Sequence, residues 1–201
     1  MADAPRATLI VFTRAPRLGT VKRRLARDIG TVEASRFHRT CIDRLMRTVG
    51  RDRRWRTVLA VTPDETARGA APWAGRQARQ PQGRGDLGAR MVRALRRGGP
   101  VVIVGSDIPA MRPAHVAAAF RALGHADLIF GPAADGGFWL VGTSGRRPLP
   151  PGLFAGVRWS TAHALADARA TIPSRWGVAC VATLDDVDDI RAWTRWRGDA
   201  A

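Results

Sequence analysis

The sequence has 201 residues, of which 33 are Lys or Arg and 17 are Asp or Glu, giving a formal net charge of +16. This length predicts one domain over residues 1–201, with a core large enough to need neither a metal ion nor a disulfide for folding. The two cysteines, Cys41 and Cys180, lack metal-ligand spacing and are interpreted as reduced core thiols. Reduced thiols, and apolar runs too short for a signal-peptide core or a membrane span, predict a cytoplasmic protein.

The positive charge would attract any polyanion. The arginines are scattered along the whole chain, however, and no aromatic residues interleave with them as a stacking platform. We therefore predict no specific nucleic-acid partner. The arginines are expected to form a solvated surface around a smaller site that binds an anionic ligand. Nothing in the sequence indicates the oligomeric state.

Short apolar, β-rich runs alternate with helical stretches, which predicts an α/β fold: a three-layer sandwich with a mostly parallel central sheet. The predicted strands are residues 8–12, 57–61, 101–104, 127–130, 138–141 and 178–181. The predicted helices are residues 21–49, with a break at 30–31 where Thr31 can cap the second part, a helix after the loop 84–88, and residues 113–123, 161–170 and 187–196. Ligands bind beyond the carboxyl ends of the strands in such sheets, so the loops there form the candidate site.

Lys22 is the only lysine in the chain, and it lies in the loop after the first strand. The chain also has no Asn and no Tyr, a pattern that indicates a GC-rich genome in which Arg replaces Lys wherever a plain charge suffices. A lysine that persists here is expected to present a compact ammonium to a phosphate, with Arg14 adding charge and Gly19 letting the backbone approach. The alternative is a tight strand-to-helix turn with solvated arginines.

Two carboxylates follow later strands. Asp107, in the turn 105–109, can hold a hard divalent cation that also binds phosphate oxygens; the alternative is that it caps this turn or the next helix. Asp135 offers a second carboxylate, and Gly136 and Gly137 keep side chains away from whatever lies in front of it. The alternative is an ordinary hairpin, because Asp-Gly is a strong turn signal.

No other catalytic set is evident. The four histidines have no carboxylate or cysteine at a useful spacing and are interpreted as structural, and no Gly-x-Ser-x-Gly nucleophile motif occurs. The segment Trp159-Ser160-Thr161 is expected next to the site, with the alternative that Ser160 or Thr161 caps a helix.

Six segments, taken in chain order, resemble one family. They are Phe12-x-Arg14-x-Pro16-x-x-Gly19-x-Val21-Lys22-x-Arg24-Leu25, Gly85-Asp86-Leu87-Gly88-x-Arg90-Met91, Gly105-Ser106-Asp107-x-Pro109, Gly131-Pro132-Ala133-x-Asp135-Gly136-Gly137, Trp159-Ser160-Thr161 and Asp186-Val187-Asp188. Over residues 7–196 the chain resembles a bacterial family catalogued as a domain of unknown function and labelled glycosyltransferase-like, with a GT-A (nucleotide-diphospho-sugar transferase) fold. It is similar, more distantly, to 2-phospho-L-lactate guanylyltransferases and molybdenum-cofactor guanylyl- and cytidylyltransferases.

The chain departs from the family's usual pattern at four positions. Arg14 stands where Lys is usual and Arg23 where Thr is usual, while Phe138 and Trp139 stand where Tyr is usual or frequent. If that tyrosine hydroxyl touches substrate in relatives, this chain lacks the contact, and its acceptor would then differ.

The resemblance implies a metal-dependent nucleotide site. The residues that it implies for nucleotide binding are Arg14, Gly19, Lys22, Gly85, Asp86, Leu87, Gly88 and Ser106. Asp107 and Asp135 would hold Mg²⁺ or Mn²⁺ and, with Lys22, would be the catalytic residues. The residues that it implies for the acceptor are Gly136, Gly137, Trp159, Ser160 and Thr161. Asp186 and Asp188 would mainly cap the last helix.

The expected activity is therefore metal-dependent transfer from a nucleotide-activated donor to a small-molecule acceptor. The leading hypothesis is a glycosyltransferase that moves a sugar from an NDP-sugar. One alternative is a nucleotidyltransferase that joins an NMP to a phosphorylated small molecule and releases pyrophosphate. Another is a catalytically silent nucleotide-binding protein.

Overall fold

The computed structural model describes residues 7–69 and 77–198. Within these ranges, seven strands form one sheet in the order β3-β2-β1-β4-β6-β5-β7. The strands are β1 (Thr8–Arg14), β2 (Arg56–Thr62), β3 (Ala78–Pro81), β4 (Val101–Gly105), β5 (Leu128–Pro132), β6 (Phe138–Thr143) and β7 (Val178–Cys180). The α-helices are α1 (Leu25–Ile29), α2 (Thr31–Thr48), α3 (Leu87–Leu95), α4 (Pro113–Ala122), α5 (Ala164–Ala170) and α6 (Ile190–Gly198). Short 3₁₀ helices cover Val49–Arg51 and Asp64–Ala67. None of the helices in the described ranges has the length and apolarity to cross a bilayer.

Helices cover both faces of the sheet, because its central strands carry apolar side chains on both sides. On one face, Leu9 and Val11 of β1 belong to a core that includes residues of α2 and α4. On the other face, Ile10 belongs to a core that includes residues of α3 and α5. The predicted three-layer α/β sandwich is confirmed.

The direction of β6 brings three loops to one edge of the sheet. β1 runs parallel to β2 and to β4, whereas β6 runs antiparallel to both β4 and β5. The carboxyl ends of β1 and β4 therefore lie beside the amino end of β6. Residues 15–24 (the β1 loop), the turn 105–109 and the turn 133–137 converge there.

Several predicted boundaries are corrected. β3 was not predicted, because this four-residue edge strand has no apolar run. The predicted break at 30–31 is confirmed, because Gly30 with a φ of 84° separates α1 from α2. α1 begins at Leu25, later than the predicted residue 21, and Thr31 is the first residue of α2 without a side-chain cap bond. The last two helices begin later than predicted, at Ala164 and Ile190. Cys41 is buried as expected, but Cys180 is exposed and is not a core thiol.

Candidate active site

A cavity of about 910 Å³ opens where the three loops converge. The sequence-predicted site residues that line it are Arg14, Gly19, Lys22, Leu87, Asp107, Asp135, Gly137, Trp159 and Ser160. The other predicted residues lie around it without lining it: Gly85, Asp86, Gly88, Ser106, Gly136 and Thr161. The loops at this edge thus line one cavity, and the binding roles of their residues stay predictions.

The ammonium of Lys22 is held between two carboxylates. Nζ donates to Oδ1 of Asp188 at 2.6 Å and also to Oδ2 of Asp107. The lysine side chain is only 4% exposed, whereas the two aspartates are 26% and 49% exposed for Asp107 and Asp188 respectively. Lys22 also has a φ of 47°, in the left-handed region that residues other than glycine seldom adopt. The lysine thus already binds anionic groups of its own chain.

Asp186 joins these two carboxylates in an acidic trio, Asp107, Asp186 and Asp188. One oxygen from each residue lies within 4.8 Å of the others. The backbone N–H of Val187 donates to the carbonyl oxygen of Asp107 at 3.2 Å, which attaches the segment 186–188 to the end of β4. Carboxylate oxygens suit a hard divalent cation, and the ammonium of Lys22 shows that the trio accommodates positive charge. The trio therefore fits Mg²⁺ or Mn²⁺.

The structure differs from the predicted roles of three aspartates, Asp135, Asp186 and Asp188. Asp135 lines the cavity but is not a member of the trio, and its Oδ1 accepts from the N–H of Gly137 at 2.8 Å within its own turn. The expectation that Asp186 and Asp188 mainly cap the last helix is wrong. Asp189 instead caps the amino end of α6, since its Oδ1 accepts from the N–H of Ala192 at 2.9 Å.

The charges of the trio and Lys22 shift one another's pKa values. Burial acts to lower the pKa of Lys22, but the charges of Asp107 and Asp188 outweigh burial and raise it. Burial acts to raise the pKa of Asp107, but Lys22 outweighs burial and lowers it. Burial, followed by the charge of Asp107, raises the pKa of Asp186 to about 7. At neutral pH Asp107 is therefore ionised, Lys22 is protonated, and Asp186 holds its proton more strongly than Asp107 does.

Positively charged residues line the same cavity. Arg14 lies at the end of β1, and Arg23 and Arg24 lie in the β1 loop beside Lys22. Arg23 and Arg24 form no ion pair with any residue in the described ranges. One cavity thus combines a carboxylate cluster with guanidinium groups that suit phosphate oxygens.

The glycine-rich segment before α3 is shaped largely by its own hydrogen bonds. Asp86 is the N-cap of α3 and accepts from the N–H of Ala89 at 2.8 Å. Arg93 donates to the carbonyl oxygens of Gln82 and Arg84, each at 2.9 Å. Leu87, half exposed, is the member of Gly85–Gly88 that lines the cavity. Asp86 and Gly85 thus also shape the loop, and nucleotide binding by Gly85, Asp86, Leu87 and Gly88 stays a prediction.

Ser106 and Gln82 form a buried polar layer beneath the cavity. Ser106 Oγ donates to Thr13 Oγ1 at 2.9 Å, which joins the ends of β4 and β1. Gln82 Nε2 donates to the carbonyl oxygens of Thr13 and Ala60 at 3.1 and 3.0 Å. Both residues line a smaller cavity of about 260 Å³ that shares Lys22 and Asp107 with the main one. Gln82 was missed by sequence reasoning, since no local pattern marks a glutamine that bonds to distant carbonyls.

Trp159 forms the opposite wall of the cavity. A Cβ on Gly88 would lie 2.9 Å from Trp159 Cζ2, so the glycine allows α3 to pack directly on the indole ring. Trp159 also packs edge-on against Phe138, with ring centroids 6.1 Å apart. Thr161 donates to the carbonyl oxygen of Arg158 at 2.7 Å and lies in a turn before α5, so it does not cap that helix. This wall is mainly apolar and aromatic.

The sheet topology and the likeness to solved structures define a GT-A-like fold, the fold of nucleotide-diphospho-sugar transferases. The chain belongs to the DUF2064 family, described as an uncharacterised protein conserved in bacteria, whose model matches residues 45–161. No curated protein matches the chain.

Three solved structures illustrate the likeness. A protein from Desulfovibrio desulfuricans G20, provisionally named a nucleotide-diphospho-sugar transferase, is 27% identical with a TM-score of 0.79, over 92% of this chain and 83% of that one. A mannosyltransferase from Pyrobaculum calidifontis in complex with GDP-Man and Mn²⁺ is 15% identical with a TM-score of 0.54, over 98% of this chain and 61% of that one. A nucleotidyl transferase from Methanothermobacter thermautotroptrophicus is 14% identical with a TM-score of 0.52, over 98% of both chains.

Proposed function

We propose that the protein is a metal-dependent transferase that uses a nucleotide-activated donor, and that this donor is an NDP-sugar whose sugar passes to a small acceptor. The observation that carries the proposal is the acidic trio beside arginines in one cavity, where the carboxyl ends of β1 and β4 meet. The likeness at 27% identity to a protein provisionally named as such a transferase supports the sugar nucleotide as donor.

Each side of the cavity has a role in this proposal. Asp107, Asp186 and Asp188 would hold Mg²⁺ or Mn²⁺, which would neutralise the charge of the diphosphate leaving group. Arg14 and Lys22 bind the phosphate oxygens. Asp135 accepts the hydrogen of the acceptor hydroxyl as that oxygen attacks the anomeric carbon. The wall of Trp159, Phe138 and Leu87 excludes water from the sugar and the acceptor.

A nucleotidyltransferase is the second candidate. In that reaction a phosphate of the acceptor attacks the α-phosphorus of an NTP, and pyrophosphate leaves. The observation that favours it is chain size: the nucleotidyl transferase matches over 98% of both chains, whereas the mannosyltransferase matches over only 61% of its own length. The same residues would bind the phosphates and the metal in either reaction.

Product analysis separates the candidates. The protein is incubated with panels of NDP-sugars and of NTPs, each with Mg²⁺ or Mn²⁺ and a mixture of hydroxyl and phosphate acceptors. Release of NDP from a sugar nucleotide supports the first proposal, and release of pyrophosphate from an NTP supports the second. Nucleotide binding without either product would indicate a catalytically silent binding protein. Asp107→Asn is the control, since any product that it still forms at the wild-type rate arises elsewhere.

A further inference from the structure

We propose that Lys22 is a resident cation of the acidic trio, which a divalent ion replaces only when a phosphate group arrives to accept the displaced ammonium. The inference rests on the proposed function, because it takes the trio as the metal site and a phosphate-bearing nucleotide as the ligand. It concerns what Lys22 does before the nucleotide binds.

The ammonium of Lys22 occupies two of the carboxylates that a metal ion would need. Nζ of Lys22 contacts Oδ2 of Asp107 and lies 2.6 Å from Oδ1 of Asp188. These are two of the three carboxylates that lie close enough together to hold one ion. A divalent cation bound to these carboxylates would lie close to the ammonium charge, and Coulomb repulsion opposes that arrangement. The two cations are therefore alternatives.

The displaced ammonium has few other partners in the cavity. Apart from the trio, the charged residues that line the cavity are Asp135, engaged by the N–H of Gly137, and the cations Arg14, Arg23 and Arg24. A lysine side chain that is 4% exposed would keep its charge without a partner, which is costly. A phosphate oxygen in the cavity supplies the missing acceptor. Metal and nucleotide should consequently bind with strong positive coupling, and metal alone should bind weakly.

The test is calorimetric titration with Mn²⁺ alone, without nucleotide. Lys22→Met keeps an unbranched apolar stem and removes the charge, so Mn²⁺ affinity should rise about tenfold or more. Arg23→Met is the matched control, because it removes one positive charge from the same cavity without freeing the trio, and its affinity should stay within about threefold of wild type. Mn²⁺ binding to Lys22→Met that is no tighter than to Arg23→Met would overturn the inference.

A second measurement uses the unaltered protein and applies even if Lys22→Met does not fold. Because the chain has one lysine, selective ¹⁵N-lysine labelling gives a single side-chain ammonium signal. The signal should stay in place with Mg²⁺ alone and shift when Mg²⁺ and a nucleoside diphosphate are added together. An unchanged signal in a complex that calorimetry shows to be formed would contradict the inference. If no nucleotide binds, the proposed function fails, and the Mn²⁺ comparison still decides the role of Lys22.

Discussion

Lys22 and Asp188 are 166 positions apart in the chain, yet Nζ of the lysine donates to Oδ1 of the aspartate at 2.6 Å. The contact joins the loop after the first strand to the segment before the last helix. The lone lysine was expected to bind a phosphate, but in this structure its ammonium is paired with two carboxylates of its own chain.

Replacing Asp107 should lower the affinity for a metal ion strongly and the free energy of unfolding only slightly. Asp107→Asn deletes a carboxylate that both the metal and Lys22 need, so Mn²⁺ affinity in the presence of nucleotide should fall at least about tenfold. Calorimetric titration measures this. Asp189→Asn is the control, since Asp189 is nearby but bonds to the start of α6. Equal losses in the two variants would remove Asp107 as a ligand.

Lys22→Arg should weaken nucleotide binding even though it keeps the positive charge. The space between Asp107 and Asp188 holds a compact ammonium that is almost fully buried, and a planar guanidinium is larger. Nucleotide affinity should fall about tenfold, the loss of one charged hydrogen bond. Lys22→Ala should additionally lower the free energy of unfolding by about 1–2 kcal/mol, because the carboxylates lose their counter-charge. Wild-type affinity in Lys22→Arg would show that position 22 accepts either cation.

Metal binding should depend on pH around neutrality. Asp186, with a pKa raised to about 7, carries a proton below that pH, and a metal ion must displace this proton. Mn²⁺ affinity should therefore fall as the pH drops below about 7, by at most about tenfold per pH unit for one proton, and level off above it. Titrations between about pH 5.5 and 8.5 test this, and Asp186→Asn should flatten the profile. A flat profile in the wild type would exclude Asp186 as the titrating ligand.

Gly88→Ala should lower both the free energy of unfolding and the affinity for ligand. The added Cβ would lie 2.9 Å from Trp159 Cζ2 and 3.0 Å from Phe154 Cβ, so α3 must move away from the wall. We expect a loss of about 1–3 kcal/mol in the free energy of unfolding by urea, as for other overpacked positions. Gly198→Ala is the control, because a Cβ there meets nothing within 4 Å. A stable Gly88→Ala protein with unchanged ligand binding would show that this contact can relax.

The fold was predictable because its central strands are apolar on both faces. The runs at Leu9–Phe12 and Val101–Val104 have no polar residue to place in water, so a sheet covered by helices is the arrangement that buries them. β3 escaped prediction because Ala78-Arg79-Gln80-Pro81 has no such run and is defined by pairing with β2.

The site was only partly predictable, for a physical reason. Asp107 and Asp135 stand in turns whose glycines mark them locally. Asp186 and Asp188 lie in an extended acidic segment that, by itself, reads as the start of a helix. Their assignment to the trio depends on the hydrogen bond between Val187 and Asp107 and on the ion pair with Lys22. Such contacts across the chain leave no trace in the local spacing of residues.

The attachment of Val187 to Asp107 makes the acidic trio one of the last parts of the molecule to form. Synthesis proceeds from the amino end, so Lys22 and Asp107 emerge well before Asp186 and Asp188. A chain that stops short of residue 186 contains the β1 loop and the end of β4 but only one of the three carboxylates. If the trio holds a metal ion as proposed, metal uptake requires this late segment to have docked, and it can serve as a direct readout of completed folding.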